Sequence, residues 1–322
     1  MALGHPGVLV GSWTDTEHDT GVTVVLPPAG TMGACIVRGA APGTREAAAL
    51  GPGGRIEECH AVVLTGGSAL GLATADGVAR WCHAQGRGLD VVVTRVPIVG
   101  AAVVFDLVSD PHPPDAEAGW AACEQATAED PPQGCFGVGR GCTVGKVAGR
   151  AHSTKGGQGW SVARSGDLTV GALMAVNCFG EVLDEDGRVL AGSLAPPLAP
   201  RFPFTPLEEL AAWSAAAEAR MNTTIGCLVS NARMTKAEAC RAADLSHTGI
   251  ARSVDPPHSS ADGDALFLLC TGEIEASPDL VAHLGSAAVA AAIRAAVRHA
   301  CATAGRPRDP RCGPVPRVVR CP

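Results

Sequence analysis

Residues 223–230 read Thr-Thr-Ile-Gly-Cys-Leu-Val-Ser, a β-branched and apolar run that predicts a buried central strand. A helix start precedes it at Thr205-Pro206-Leu207-Glu208, which combines a capping Thr, Pro at the first helical position and Glu three residues after the Thr. The same Thr and Glu spacing follows it in Thr235-Lys236-Ala237-Glu238. We therefore predict a helix over about 206–220, a strand from Thr223, and a second helix over about 236–252.

Strands and helices continue to alternate outward from this run. Residues 21–27 and 33–37 predict neighbouring strands, and residues 61–64 predict a buried strand that leads into a helix ending near Gln85. The other predicted elements are strands at 91–94 and 101–107, a surface excursion with a short helix at 109–134, a strand pair at 168–177 and 181–183 joined by a tight turn at Gly180, a strand at 264–270, and a helix from Ser277 to about Thr303. This mixture favours one α/β layered domain.

The composition excludes several classes of protein. The 322 residues are 46% hydrophobic and 18% charged, which allows a large buried core and argues against global disorder. The net charge of −7 argues against a nucleic-acid partner, because phosphate binding needs a basic surface. The apolar runs are short for a membrane span, and the first residues lack a signal-peptide pattern, so we expect a cytoplasmic protein without a membrane partner.

Neither a metal nor a cofactor is expected from the motifs. The 13 cysteines lack CxxC pairs and metal-ligand spacing, and most lie in apolar runs, so we predict reduced core thiols. Gly145-Lys146 lacks the earlier Gly and the following Ser or Thr of a phosphate loop, and Gly137-Val138-Gly139 lacks the third Gly of a dinucleotide site. The sequence 66–70, Gly-Gly-Ser-Ala-Leu, resembles a nucleophile elbow, but the closing Gly of that motif comes one residue late, at Gly71.

Eight short motifs stand in register between about Gly11 and Ala304. They are 20–25 Thr-Gly-Val-Thr-Val-Val, 38–46 Arg-Gly-Ala-Ala-Pro-Gly-Thr-Arg-Glu, 60–72 His-Ala-Val-Val-Leu-Thr-Gly-Gly-Ser-Ala-Leu-Gly-Leu, 96–99 Val-Pro-Ile-Val with 105–107 Phe-Asp-Leu, 137–146 Gly-Val-Gly-Arg-Gly-Cys-Thr-Val-Gly-Lys, 176–180 Val-Asn-Cys-Phe-Gly, 222–226 Asn-Thr-Thr-Ile-Gly, and 262–264 Asp-Gly-Asp. With these motifs the chain resembles the self-cleaving DmpA-type aminopeptidases, a family of N-terminal-nucleophile hydrolases that includes β-peptidyl aminopeptidases of the BapA kind and nylon-oligomer hydrolases of the NylC kind.

The resemblance implies a four-layer α/β/β/α sandwich that matures by cutting itself between Asn222 and Thr223. The single domain of residues 1–322 would become an α chain of residues 1–222 and a β chain of residues 223–322. The irregular Pro and Arg pattern from Arg306 predicts a loose C-terminal tail over about 306–322. Relatives assemble into tetramers or larger, so the resemblance also implies a homo-oligomer of cleaved protomers.

The resemblance also assigns the chemistry to individual residues. A Thr nucleophile preceded by Asn is the pattern of the nylon-hydrolase branch, and Asn222-Thr223 matches it. The remaining catalytic residues that it implies are Lys146, Asn177 and the aspartate pair Asp262 and Asp264. Some relatives carry a Tyr near the nucleophile; this chain has none, and Phe105 is the residue that we expect nearby instead.

The chemistry of a terminal Thr supports this assignment. A Thr hydroxyl needs a base, and a terminal Thr supplies one in its own α-amine, whose ordinary pKa is about 7.7–8.0. That amine exists only after the bond before Thr223 is cut, so the uncut chain would be inactive. The cut can be intramolecular if the hydroxyl attacks the Asn222 carbonyl and water hydrolyses the resulting ester. The pattern alone also fits a simpler interpretation, in which Asn222 ends a helix and Thr223 begins a strand.

Each other implied residue has both a functional and a structural interpretation. Lys146 would place its ammonium beside the Thr223 oxygen and amine, or it would be a solvated loop lysine. Asn177 would donate its amide to the oxyanion, or it would simply end a strand. Asp264 would hold Lys146 or the α-amine with support from Asp262, or the two aspartates would form a turn.

The turn Gly66-Gly67-Ser68 has two interpretations as well. It would offer backbone N–H groups to the substrate or the oxyanion, or it would only begin a helix.

The function predicted from the sequence is amide hydrolysis through an acyl-enzyme ester. The substrate would be a small peptide, cut by an aminopeptidase, or a 6-aminohexanoate oligomer, cut by an amidase. Two alternatives remain open at this point. One is acyl transfer of the kind catalysed by ornithine acetyltransferases, and the other is an uncleaved, non-catalytic binding protein.

Overall fold

The computed structural model describes residues 1–107, 112–199, 222–302 and 306–314, and two five-stranded sheets lie at its centre. The strands of sheet one are β1 (Leu9–Asp15), β2 (Thr20–Leu26), β4 (Thr44–Arg45), β5 (Ala61–Thr65) and β8 (Val99–Val103). They are arranged in the order β1-β2-β5-β8-β4. The strand predicted at 61–64 is thereby confirmed. The strand predicted at 101–107 is present but lies earlier in the chain, from Val99 to Val103, so residues 104–107 are not part of it.

Sheet two contains the strand from which the sequence analysis began. Its strands are β3 (Met32–Val37), β11 (Gly157–Ser165), β12 (Leu168–Asn177), β15 (Thr223–Arg233) and β17 (Ala265–Glu275), in the order β11-β12-β15-β17-β3. β15 is the middle strand, antiparallel to β12 and parallel to β17. The prediction of a buried central strand from Thr223 is confirmed, because every residue of β15 except the last is buried.

Three small sheets complete the strand set in the described residues. One pairs β6 (Leu89–Asp90) with β7 (Arg95–Val96), and another pairs β9 (Thr143–Val144) with β10 (Thr154–Lys155). The third has β13 (Glu181–Leu183) between β14 (Val189–Ala191) and β16 (Val254–Asp255). Short 3-10 turns occur at Ala2–Gly4, Ser68–Ala73, Gly137–Gly139, Arg150–His152 and Pro310–Cys312.

The described residues contain five α-helices. They are α1 (Thr74–Ala84), α2 (Ala116–Glu124), α3 (Lys236–Ser246), α4 (Thr248–Ala251) and α5 (Pro278–Arg298). The predicted capping box is present at α3, where Thr235 and Glu238 satisfy each other's backbone N–H groups. Ser277 caps α5 and Pro278 occupies its first turn. The helix predicted over 206–220 lies outside the described residues.

Three hydrophobic cores separate four layers. The first core joins sheet one to α1 and α2, and the second lies between the two sheets. The third joins sheet two to α3 and α5. The order of layers is therefore α/β/β/α, which confirms the predicted fold. α5 is long and apolar enough to cross a membrane by length and composition alone, but here most of it is buried against β11 and β12.

The aromatic content is only 3%, so small residues make up much of the packing, and they allow the layers to approach closely. At the crossing of α1 and α2, a Cβ on Gly77 would lie 1.7 Å from the Ala116 carbonyl oxygen. A Cβ on Gly119 would lie 2.0 Å from the Thr74 carbonyl oxygen on the opposite helix. Any larger residue at either position would force the two helices apart.

Strand pairing differs from the prediction in two places. Strands β2 and β3 are not neighbours, because the chain crosses from sheet one to sheet two between them and β3 pairs with β17. Strands β12 and β13 do not pair across the Gly180 turn, because β12 lies between β11 and β15 while β13 joins the three-stranded sheet. A period-two pattern identifies a strand but says nothing about its partner.

The predicted strand at 91–94 is wrong. These residues form the tip of the β6–β7 hairpin, where Val92 has a φ of 74° and is 96% exposed. Four β-branched residues in a row resemble a strand in composition, but the flanking pairs at Leu89–Asp90 and Arg95–Val96 leave room only for a turn.

Residues 306–314 are not loose, in contrast to the predicted tail. The Asp309 side chain is fully buried and accepts a hydrogen bond from the Gly192 N–H at 3.0 Å. The Pro307 carbonyl accepts from the Lys155 N–H at 2.9 Å. Residues 315–322 lie outside the described residues.

The cysteines in the described residues are free thiols except one. Ten of the free thiols are buried and Cys312 is half-buried, as expected of core cysteines. Cys301 is disulfide-bonded, so the prediction that the cysteines are reduced is wrong at that position.

Candidate active site

Thr223 and Asn222 lie at the start of β15, the middle strand of sheet two, between the end of β12 and the start of β17. Thr223 is the first residue of β15 and stands opposite Asn177, the last residue of β12. Asn222 forms a parallel bridge with Asp262, just before β17. Both residues of the predicted cleavage site are buried, with exposed fractions of 2% for Asn222 and 6% for Thr223. The sheet register alone therefore brings together four of the residues that the sequence analysis singled out.

The Thr223 hydroxyl lies against the peptide group that it would attack. Its Oγ1 donates a hydrogen bond to the Asn222 carbonyl oxygen. The same oxygen accepts a second hydrogen bond from the Gly263 N–H at 3.0 Å. A carbonyl that accepts an N–H is already polarised in the direction that nucleophilic attack requires, because negative charge develops on that oxygen.

Gly263 is a neighbour of the predicted cleavage site that the sequence analysis missed. Its motif predicts only the spacer of an Asp-Gly-Asp turn, yet its N–H reaches the carbonyl of Asn222. A Cβ at this position would lie 3.1 Å from Thr223 Oγ1 and 2.9 Å from the Ala41 carbonyl oxygen, so the absence of a side chain leaves room for the hydroxyl. A Gly between two acidic residues before a buried strand signals a need for space, but not the contact of its N–H.

Asn177 and Lys146 form one hydrogen-bonded unit. Lys146 Nζ donates to the Asn177 carbonyl oxygen at 2.7 Å and to Asn177 Oδ1 at 3.0 Å. The Thr143 N–H also donates to Asn177 Oδ1, at 3.0 Å. Asn177 Nδ2 donates to the Phe105 carbonyl oxygen at 3.0 Å, which fixes the amide orientation and leaves its second hydrogen for another acceptor.

Lys146 is buried rather than solvated, and its partner differs from the expected one. Its side chain is 5% exposed, so the alternative of a loop lysine in water is wrong. The hydrogen bonds of its Nζ go to Asn177 and not to Thr223 Oγ1. Burial, together with the positive charge of Arg150, lowers the pKa of Lys146 from 10.5 to about 7, although Cys178, Cys142 and Asp262 act in the opposite direction.

The two aspartates have different surroundings. Burial and the neighbouring charge of Asp264 raise the pKa of Asp262 to about 6. Asp262 Oδ2 accepts from the Ser259 N–H at 2.7 Å, whereas its buried Oδ1 has no hydrogen-bond partner among the described residues. That oxygen can accept a proton or a hydrogen bond from a group that arrives later.

Asp264 holds the backbone beyond the nucleophile and not Lys146. Its Oδ1 accepts from the Thr224 N–H at 2.5 Å. Its Oδ2 accepts from His258, through the backbone N–H at 3.2 Å and ring Nδ1 at 2.8 Å. The expectation that Asp264 holds Lys146 is therefore wrong, and His258 is a second neighbour that the sequence analysis missed.

The turn Gly66-Gly67-Ser68 does not offer its N–H groups. They donate instead to the carbonyl oxygens of Gly21 and Val104 and to the carboxylate of Asp106. The N–H groups of a 3-10 start are normally unpaired, but here the adjacent segment 104–106 supplies acceptors. Phe105 of that segment does lie beside the site, since its carbonyl accepts from Asn177 and its ring lies 5.5 Å from the Arg150 guanidinium.

Among the described residues, no group of three or more His, Cys, Asp or Glu side chains could hold a metal ion. The arrangement supports another kind of chemistry. It contains a hydroxyl nucleophile, a polarised carbonyl, a lysine of lowered pKa, a fixed amide and two carboxylates, which together suit acyl transfer through an ester.

Comparisons with known proteins agree with this chemistry. The model of peptidase family S58 matches residues 5–308. The chain is 40% identical to an uncharacterized aminopeptidase of Mycobacterium leprae, over 96% of this chain and 92% of that protein. It is 33% identical to the 6-aminohexanoate-oligomer endohydrolase of a Kocuria species, over 85% of this chain and 76% of that protein.

Solved structures give the same fold. The L-aminopeptidase D-Ala-esterase/amidase of Ochrobactrum anthropi, a variant of the Ntn hydrolase fold, superposes with a TM-score of 0.67 at 18% identity, over 92% of this chain and 85% of that one. A β-aminopeptidase of a Burkholderia species superposes with a TM-score of 0.66 at 18% identity, over the same shares. The match of the family model over residues 5–308 and the identity to curated relatives show that the chain belongs to peptidase family S58.

Proposed function

We propose that this protein cuts itself between Asn222 and Thr223 and then uses Thr223 as the nucleophile of an amide-bond hydrolase. Membership of peptidase family S58 makes it a hydrolase of amide or peptide bonds. The observation that carries the self-cleavage is the contact of the Thr223 hydroxyl with the Asn222 carbonyl, whose oxygen also accepts from the Gly263 N–H.

The self-cleavage would run through an ester. Thr223 Oγ1 attacks the Asn222 carbonyl carbon, and the Gly263 N–H stabilises the negative charge on the oxygen. The bond to the Thr223 nitrogen then breaks, the nitrogen takes up the proton that the hydroxyl gives up, and Asn222 is left as an ester on Thr223. Water hydrolyses this ester, which releases an Asn222 carboxylate and a Thr223 with a free hydroxyl and a free amine.

The mature enzyme would use the same groups on a substrate. The neutral α-amine of Thr223 accepts the hydroxyl proton as Oγ1 attacks the substrate carbonyl, and the amine product leaves with that proton. Water then hydrolyses the acyl ester on Oγ1, which releases the carboxylic acid product and restores the Thr223 hydroxyl. The Oδ1 of Asp262 supports this proposal, because Asp262 pairs with Asn222 in the sheet and this buried oxygen has no hydrogen-bond partner among the described residues, so the new amine can become its donor. Asn177 contributes the second hydrogen of its Nδ2 to the oxyanion, and Lys146 holds Asn177 in position.

The substrates that we propose are short peptides with a free N-terminus and 6-aminohexanoate oligomers. The first follows from the mycobacterial relatives named aminopeptidases, at 38–40% identity, and the second from the endohydrolases at 32–33% identity.

We also propose a cytoplasmic homo-oligomer of cleaved protomers, a tetramer or larger. The exposed valines at the β6–β7 tip support an assembly, because they are surface that a partner would cover.

Intact mass spectrometry of the purified protein tests the self-cleavage. Residues 223–322 should appear as a fragment of about 10 kDa out of 32.5 kDa, with Thr-Thr-Ile-Gly as its N-terminal sequence. The Thr223→Ala variant should remain one uncut and inactive chain, because it lacks the attacking hydroxyl. A wild type that stays at full length while it hydrolyses amides would refute self-cleavage.

A substrate panel tests the second half of the proposal. Amino-acid p-nitroanilides and 6-aminohexanoate oligomers should be hydrolysed by the cut protein and not by Thr223→Ala. Product that forms only when an amine acceptor is added would favour the acyl-transfer alternative instead.

A further inference from the structure

We propose that His258 is a positioning residue for both steps, because it fixes the Asp264 carboxylate that holds the backbone directly after Thr223. This inference rests on the proposed function and deepens it. The hydrogen bonds of His258 described here lead to Asp264 and not to Thr223, so the histidine acts through the aspartate.

His258 and Asp264 are joined by two hydrogen bonds to one oxygen. Asp264 Oδ2 accepts from His258 Nδ1 at 2.8 Å and from the His258 N–H at 3.2 Å. Because a carboxylate only accepts, the proton of this bond must be on Nδ1. With Oδ2 fixed in this way, Oδ1 points to the Thr224 N–H at 2.5 Å. The chain of contacts therefore runs from His258 through Asp264 to the residue that follows the nucleophile.

The Asp264 carboxylate needs such support because a second buried carboxylate lies close to it. Asp262 lies two residues earlier and is also buried, so the two carboxylates repel each other when both are ionised. Lys146 offers no direct hydrogen bond to either aspartate, since its Nζ donates to Asn177. Of the described side chains, His258 is the one that donates to Asp264.

His258 is itself held for this contact. Its backbone has a φ of 52°, which is uncommon for a residue other than Gly, although His adopts it more often than most. Its ring packs edge-on against His247, with centroids 5.1 Å apart. His258 Nε2 is buried without a hydrogen-bond partner among the described residues, so Asp264 and His247 orient the ring.

Two substitutions separate positioning from folding. His258→Gly removes the ring donor and suits the positive φ, so a loss of activity cannot come from backbone strain. His258→Asn also tolerates this backbone and places a side-chain N–H near the position of Nδ1, so it should restore the bond to Asp264.

The chain offers a matched control in His18. There too, one aspartate accepts two hydrogen bonds from a histidine. Asp15 Oδ1 accepts from the His18 backbone N–H, and Asp15 Oδ2 accepts from His18 Nδ1 at 2.8 Å. The exposed fraction of the side chain is 18% at His18 and 17% at His258. His18 lies on the β1–β2 turn of sheet one, whereas His258 precedes β17 of sheet two.

The experiment makes three measurements on the full chain and these variants. They are the half-time of fragment formation, the steady-state kinetics on one small amide, which give kcat and KM, and the midpoint of urea unfolding. His258→Gly should slow self-cleavage and lower kcat by about tenfold to a hundredfold, as a displacement of up to 1 Å would, with KM little changed. His258→Asn should regain most of that loss. His18→Gly should leave both rates within about twofold of the wild type, since the hydrogen bonds of His18 described here lead to Asp15 at the end of β1 and not to the site.

The outcomes distinguish the two claims. Wild-type rates in His258→Gly, or an equal loss in His258→Asn and His258→Gly, would overturn the positioning role while the self-cleavage of the wild type stands. The positioning role is also overturned if the rates of all variants simply follow their unfolding midpoints. A wild type that is never cut would overturn the proposed function and this inference together.

Discussion

Replacing Lys146 by Met should remove a pH dependence from the free energy of unfolding. Lys146 is buried, and its pKa falls from 10.5 to about 7 in the folded chain. Between these two pH values the unfolded chain carries the extra proton and the folded chain does not. Stability therefore rises with pH across this window, since it rises wherever the unfolded state binds more protons.

The size of the effect follows from the same two values. One pKa unit corresponds to about 1.4 kcal/mol, and the folded lysine is already half deprotonated near pH 7. From pH 7 to pH 9 the chain with Lys146 should gain about 2 kcal/mol relative to the Lys146→Met chain, whose methionine has no proton to lose there. The remaining titrating groups are shared by the two chains and cancel in the difference.

The comparison is best made in chains that cannot cut themselves. Both proteins would carry Thr223→Ala, and one of them would also carry Lys146→Met. Urea unfolding at pH 7, 8 and 9 gives the free energy of unfolding of each. Parallel curves, in which the difference between the two chains does not change with pH, would refute a lysine with a lowered pKa and with it the account of the buried Lys146–Asn177 unit.

Three further predictions concern the neighbours of Thr223. Gly263→Ala should slow self-cleavage by about tenfold or more, because its Cβ would lie 3.1 Å from Thr223 Oγ1; gel densitometry of fragment formation measures this, and a wild-type rate would contradict it. Asn177→Ala should lower turnover by about a hundredfold, and should lower the free energy of unfolding by about 1–3 kcal/mol because it removes the side-chain oxygen that accepts from the Thr143 N–H and from Lys146, which keeps only the backbone carbonyl; steady-state kinetics beside urea unfolding would show both, and unchanged turnover would count against the oxyanion role. The kcat/KM of the cut enzyme should fall as pH drops through neutrality, because the Thr223 α-amine must be neutral to act as the base, and Asp262→Asn should move this fall to lower pH, because a nearby carboxylate favours the charged amine; a fall at the same pH in both enzymes would exclude a contact between Asp262 and the amine.

Elements with a strong local signal could be predicted from the sequence. The capping box at Thr235 and the cap and Pro at Ser277-Pro278 placed the starts of two helices, because such caps act through residues three apart. The central strand from Thr223 was predictable because a β-branched apolar run is buried on both faces. The same logic failed at 91–94, where β-branched residues occupy an exposed hairpin tip.

The members of the site could be predicted, but their mutual contacts could not. Thr223, Asn177 and Asp262 were identified from short motifs, and the sheet register brings them together. The partners of Lys146 and Asp264 depend on how separate segments of the chain approach each other. Lys146 contacts Asn177 at the end of β12, and Asp264 contacts His258 from the preceding loop. A backbone N–H carries no residue-type signal, so neither the role of Gly263 nor the blocked turn at Gly66-Gly67-Ser68 was visible beforehand.

The strand order of sheet two bears on how the cut protein can assemble and fall apart. The strands that would belong to the β chain, β15 and β17, lie between β12 and β3 of the α chain. A cut before Thr223 would therefore leave the two chains interleaved, with hydrogen bonds and core on both sides holding them together. The chain would have to fold before it is cut, because separate fragments would have to find this arrangement by collision. Once the link is gone, refolding would depend on concentration, and the working lifetime of the protein would be set by how slowly it unfolds rather than by an equilibrium.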